Sequence, residues 1–383
     1  MSNQEIAQLF SVRSHNPSFF AVKNSIADSD ELLDFCIPVN LHFPPPALVE
    51  MIHEHLDEIL RYYPDYAETH QQHIAEMAGL APDTIVPCNG STEIITMLCR
   101  EAQGPILTSV PTFSRWTDLP QEFHVPLYTI TRRREKEFRL EVDEIVNRVR
   151  EVGARTLVIS NPNNPTGAWL ALAEIKTLAH ELEDLDAFVV DESFIDFSDL
   201  ETAATFAAQT SNLIVVKSMG KSIGWHGVRL GYAATESRLA QAMRARLPFW
   251  NINGLAAFVL KNMTGFKREY FASFAQVAAD RIYLAEQLAL VPGINVYPSK
   301  ANFVFVELPD LVSGRQLRDR LLENYGLMVR ECSNKIGSSQ QYLRLAVQGK
   351  AAVNKLVAAL GCELKHHDSP GDTRSRGLHS PRH

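Results

Sequence analysis

Three short apolar runs constrain this chain more than any other feature: TLVIS (156–160), AFVVD (187–191) and LIVVK (213–217). Each has the length of one strand, and none alternates with polar residues, so each reads as a strand covered on both faces. Residues 169–184, between the first two, have the spacing of an amphipathic helix. Short apolar runs and helical stretches alternate from about 85 to 260. This implies βαβ units and a mostly parallel sheet, hence an α/β fold.

The flanks differ. Residues 1–30 read as irregular, and Pro44-Pro45-Pro46 opens a helical pattern through Leu48, Met51, Ile52, Leu56 and Leu60. After about 262 comes a helical stretch near 266–290. Strand-like NVYPSKANFVFVEL and QYLRLAV follow, with helical patterns at 314–325 and 350–360. We expect an N-terminal arm over 1–44, a large domain over 45–262, a smaller α+β domain over 263–362 and a disordered tail over 363–383.

Charge and cysteines narrow the function classes. A net charge of -8 argues against general nucleic-acid binding, which needs basic surface. Cys36, Cys88, Cys99, Cys332 and Cys362 form no cluster with metal-ligand spacing and read as reduced thiols, so a cytoplasmic location is expected. The opening MSNQEIAQLF lacks secretory character, and no apolar stretch reaches membrane-spanning length.

Four segments carry chemistry. In VVKSMGKSIGWHGVRLGYA (215–233) a strand ends and presents Ser218, Lys221 and Arg229 among glycines. A lysine there suits covalent catalysis once burial has removed its proton, and Ser218 and Arg229 could bind a phosphate beside it. SNPNNPTG (160–167) follows a strand and turns sharply; Asn164 could be a donor to an oxygen of a bound ring, or only a helix cap. In VVDESFIDF (189–197), Asp191 closes a buried strand at the usual binding edge of an open α/β sheet. In PCNGSTEIITML (87–98), Asn89, Gly90, Ser91 and Thr92 lead into a helix whose free N–H groups could hold a phosphate.

In this order, from about 30 to 361, the segments resemble the class I/II aminotransferases of pyridoxal phosphate (PLP) fold type I. The resemblance implies a large domain with a mostly parallel seven-stranded sheet sandwiched by helices, plus a smaller α+β domain. It implies pyridoxal 5'-phosphate as cofactor, carried on Lys221 as a Schiff base, with Lys221 also the acid/base. Asp191 would pair with the ring nitrogen, Asn164 with the phenolic oxygen, and Phe113 would stack on the ring. Gly90, Ser91, Thr92, Ser218 and Arg229 would hold the cofactor phosphate. Tyr63, in RYYPD, would reach the partner subunit's cofactor in a homodimer with shared sites.

Within the family the chain is most similar to threonine-phosphate decarboxylase, then to histidinol-phosphate aminotransferase. The likeness rests on LLDF (32–35), RYYPD, DESFIDF, FWNIN (249–253), VRECSN (329–334) and YLRLAV (342–347). Arg330 and Arg344 match arginines that grip the substrate's anionic groups. Asn40 matches a substrate-binding residue.

Four features depart from the pattern. Phe194 stands where aminotransferases usually have Tyr, a change shared with the decarboxylase. Pro38 replaces an Asn of the decarboxylase. The decarboxylase's glycine-rich N-terminal stretch is missing, with His15 a loose counterpart. His226, five residues after Lys221, is unusual and reads either as a group lining the substrate pocket or as a packed histidine. The expected reaction is decarboxylation of a small phosphorylated or anionic amino acid. The alternatives are transamination, another PLP reaction such as elimination or cyclisation, and a non-catalytic protein on this scaffold. A nicotinamide dehydrogenase fits poorly, because no GxGxxG opens the first βα unit.

Overall fold

In chain order, strand β1 (Leu33–Asp34) precedes the strands of the large sheet. These are β2 (Ile85–Cys88), β3 (Ile106–Val110), β4 (Leu127–Thr131), β5 (Thr156–Ser160), β6 (Ala187–Asp191), β7 (Leu213–Lys217) and β8 (Gly231–Ala234). They pair in the order β2-β8-β7-β6-β5-β3-β4. The coordinates are a computed structural model describing Phe10, residues 18–25 and residues 32–365. Only β8 runs against its neighbours. The three apolar runs occupy β5, β6 and β7 with the ends expected for them.

Both faces of this sheet are covered, which is why those strands are apolar throughout. On one face Phe188, Val190, Leu213 and Val215 meet helix residues such as Ile74, Ile175 and Leu260. On the other, Val189, Ile214 and Val216 meet Ile94, Ile95 and Leu119. The period-two alternation feeds two separate cores. Each fully buried Val, Leu or Ile contributes about 1.5–3 kcal/mol of burial.

The second layer uses β9 (Asn295–Tyr297), β10 (Phe303–Glu307), β11 (Leu327–Met328), β12 (Arg330–Glu331) and β13 (Tyr342–Ala346). Four of them form an antiparallel sheet in the order β12-β13-β10-β9. The helices Lys267–Ala289, Gly314–Tyr325 and Lys350–Lys365 cover it, with Val277, Leu321 and Leu356 among the buried contacts.

The N-terminal segment differs from the sequence reading. Phe19–Ser25 is a helix, not irregular chain. Seven residues are too few to hold a helix by propensity. Packing supplies the reason: Val22 is buried with Cys36, Leu322 and Met328, while β1 pairs in parallel with β11. His15 and residues 366–383 lie outside the described residues; the last helix runs to Lys365, past the expected start of the tail.

Register aligns the carboxyl ends of the central strands. Ser160 lies opposite Asp191, and Asp191 opposite Val216. The loops beyond them carry Asn164, Phe194 and Lys221 to one edge. The strand order reverses between β5 and β3, where open α/β sheets bind ligands.

Candidate active site

Lys221 lies in a short turn just past β7. Its backbone carbonyl accepts from Asn40 N at 2.9 Å, and its ammonium sits 4.6 Å from the centre of the Phe194 ring. Burial pushes its pKa down to about 8; Asp191 opposes the fall, and Arg229 and Arg344 add to it. A neutral amine is therefore far more abundant near neutrality than on an ordinary lysine. The shift from 10.5 to about 8 corresponds to a roughly 300-fold larger neutral fraction at pH 7. The rate at which cofactor-free protein captures pyridoxal 5'-phosphate should rise about tenfold per pH unit up to about 7 and level off above about 8. A stopped-flow absorbance series across pH checks this; a rate still climbing at pH 10 would contradict it.

Asp191 is buried at the end of β6, and both its oxygens are occupied. Trp116 Nε1 donates to Oδ2 at 2.8 Å and Ser193 N donates to Oδ1 at 3.1 Å. Trp116 was not singled out from the sequence. It stands three residues after Phe113 but 75 residues from its partner, and no local pattern announces that bond.

The start of the helix Ser91–Glu101 forms a cradle with Arg229. Gly90 has φ +70°, and a Cβ there would lie 2.4 Å from Arg229 Nη2. The guanidinium thus lies across the turn only because the residue is glycine. The N–H groups of Ser91 and Thr92 open the helix and have no preceding helical carbonyl to meet. Ser218 is buried at the end of the adjacent strand, and its carbonyl accepts from Lys221 N. Phe113 is half-buried against the core on this side of the sheet.

The second layer contributes two buried arginines. Arg344 Nη1 donates to Asn164 Oδ1 at 2.8 Å, and Nη2 donates to the Cys36 carbonyl. Its buried Nε has no partner. That bond occupies the Asn164 oxygen and leaves its amide N–H groups to donate. Arg330 donates to the Glu331 carbonyl at 2.9 Å and to Asn334 Oδ1 at 2.7 Å.

Both amide hydrogens of Asn40 are committed, to Ser222 O at 2.8 Å and Ser273 Oγ at 2.7 Å. Its amide thereby ties the Lys221 turn to the helix Lys267–Ala289, which carries Ser273. Gly224 makes that turn possible: at φ +83°, a Cβ there would strike Phe43 O at 2.1 Å and Asn40 O at 2.6 Å. His226 Nε2 lies 3.3 Å from Pro38 O and must carry the hydrogen, since a carbonyl only accepts. Burial, then Lys221, push its pKa down to about 4, so it is neutral near pH 7. The two unusual residues, Pro38 and His226, thus touch each other. Tyr63 stands apart from this cluster, 79% exposed and stacked on Trp250 at 4.6 Å.

The aminotransferase class I and II family matches residues 30–360. The chain belongs to this family. The CMP-5'-(3-aminopropyl)phosphonate synthase of Streptomyces rubellomurinus is 35% identical over 85% of the chain, which spans 52% of that protein's length. The L-serine phosphate decarboxylase of Sulfurospirillum multivorans is 30% identical over 92% of the chain and 93% of its own length. A solved decarboxylase structure from Sulfurospirillum multivorans superposes with a TM-score of 0.82 at 28% identity, covering 95% of this chain and 97% of that one. The family member described here is an enzyme whose cofactor is pyridoxal 5'-phosphate. Its residues fit that group: a cradle a Cβ would fill, a doubly held carboxylate and a lysine poised to lose its proton.

Proposed function

We propose that this chain decarboxylates a small amino acid carrying a second, distal anion, with phosphorylated serine or threonine the leading candidates. The observation that carries this is the buried Arg344, which makes no ion pair with a carboxylate among the described residues and keeps an unpartnered Nε. A buried guanidinium without a counter-charge is costly, and an anionic ligand offsets that cost. Arg330 supplies a second guanidinium, on the strand that pairs with β13 and directly opposite Arg344 in register. Two of the relatives are named for L-serine phosphate and for a 3-aminopropylphosphonate; both names join nitrogen to a phosphorus oxyanion.

Within this reading Gly90, Ser91, Thr92, Ser218 and Arg229 hold the cofactor phosphate, Asp191 faces the ring nitrogen, and Phe113, Asn164 and Phe194 line the ring. The bound cofactor supplies an electron-withdrawing ring that lets a bond at the substrate α-carbon break. Lys221 would hold or deliver the proton at that carbon. Arg330 and Arg344 grip the substrate's anions and so set which bond at the α-carbon stands across the ring. Phe194 offers no hydroxyl, so Asn164 is the side-chain donor this chain brings to the phenolic oxygen. His226, neutral and turned to Pro38, contributes polarity rather than charge. Tyr63, amid exposed Tyr62, Tyr66, Phe249 and Trp250, reaches the second site of a homodimer. Residues 45–262 and 263–362 serve as large and small domains around the site, with arm 1–44 on the latter; the location is cytoplasmic.

Purified holoenzyme given O-phospho-L-serine, O-phospho-L-threonine or a phosphonate amino acid should release CO₂ stoichiometrically with substrate loss and keep its cofactor in the aldehyde form. CO₂-free conversion of the cofactor to its amine form would make it an aminotransferase instead, as in the histidinol-phosphate relatives at 27–28% identity.

A further inference from the structure

Lys335 is a buried lysine that the function so far leaves unused. It sits in the turn after β12, and its ammonium donates to Thr112 O at 2.9 Å and to Ser114 Oγ at 3.2 Å. Those two acceptors flank Phe113. Gly337, in the same turn, lies against the end of β3: a Cβ there would be 3.1 Å from Val110 Cγ2. The arginine-bearing layer and the segment 111–114 are therefore joined through one ammonium whose hydrogen-bond partners are both neutral. No ion pair forms at Lys335 among the described residues.

Its charged surroundings are mostly unfavourable. From its own strand and turn come Arg330 and Cys332, with the Glu331 carboxylate engaged by Ser333. Arg344 faces it from β13, and Asp118 from the helix Arg115–Glu122. Burial, then Arg330 and Arg344, push the Lys335 pKa down to about 7, against Cys332 and Asp118. An anion bound at the arginines would cancel their repulsion and favour the charged lysine.

We propose that Lys335 is a positioning residue that ties the Phe113 segment to Arg330 and Arg344, and that a dianion bound at those arginines tightens the tie by stabilising the ammonium. Capture of the substrate's distal anion is thereby coupled to the setting of the aromatic wall beside the cofactor. The inference rests on the reading that an anion occupies the arginine pair.

The test is calorimetric titration of the holoenzyme with inorganic sulfate, a tetrahedral dianion with no proton of its own near pH 8, in two buffers of different ionisation heat. Wild-type protein should take up a fraction of a proton per site, most between about pH 7 and 9, because the lysine's pKa rises on binding. Lys335→Met should bind about tenfold more weakly and lose most of that uptake. Equal proton uptake in the two proteins overturns the proposal while leaving the arginine site intact. Absence of sulfate binding overturns the proposal and the anion reading together. Should Lys335→Met not fold, Ser114→Ala removes one acceptor of the ammonium and must shift the uptake profile to lower pH; an unshifted profile overturns the proposal.

Discussion

Lys221→Ala is expected to lower kcat/KM by about 10⁴-fold or more, with the protein still folded and still able to hold the cofactor phosphate. The reason lies in how the amine is set up rather than in its presence alone. Its backbone is fixed by Asn40, whose amide also grips Ser222 and Ser273, and Tyr270 donates to Ser222 at 2.7 Å. Its pKa is pushed down to about 8, so it exchanges protons within the working range. Lys221→Arg should fail almost as completely, because a guanidinium keeps its proton and cannot make the link. Steady-state assays, with circular dichroism to confirm folding, give the comparison. Partial recovery of Lys221→Ala by added small amines would strengthen the account, whereas activity within tenfold of wild type would defeat it.

Asp191→Asn should cost about 10²–10³-fold in kcat, with a smaller change in KM. The carboxyl group is buried and already accepts from Trp116 and Ser193, so the variant would lose the group proposed to face the ring nitrogen. An asparagine also turns an NH₂ group towards one of those two donors, leaving a buried donor without an acceptor. The expected signature is a shifted cofactor absorbance together with the rate loss. A variant with normal kcat and an unaltered spectrum would remove Asp191 from the machinery.

The central sheet was legible because its signal is local. Fully apolar five-residue runs have few alternatives to doubly covered strands, and 156–160, 187–191 and 213–217 have the ends read from them. The helix at 314–325 was legible for the same reason. Lys221 and Asp191 stood out because each follows or closes a buried apolar strand, and Arg344 only through the family resemblance. What sequence could not give was who bonds to whom. Asn40 matched a substrate-binding residue, and no local pattern shows that both its amide hydrogens go to Ser222 and Ser273. Trp116 reads as one more core aromatic, yet it is a donor to the Asp191 carboxylate. His226 and Pro38 read as two separate departures 188 residues apart, and the fold makes them hydrogen-bond partners. The helix Phe19–Ser25 exists through contact with Leu322 and Met328, which no window around residue 22 contains.

Three lysines in this region are buried or half-buried, and they are not equivalent. Lys217 is paired with Asp196, which holds its proton firmly; the protons of Lys335 and Lys221 are both loosened by burial, but the Lys335 amine is spent on Thr112 O and Ser114 Oγ, whereas Lys221 faces Asp191 and Phe194. Borohydride reduction of the holoenzyme followed by peptide mass spectrometry separates them directly. The account predicts one reduced pyridoxyl-phosphate adduct, on the peptide containing Lys221. An adduct on Lys217 or Lys335, or none at all, would contradict it.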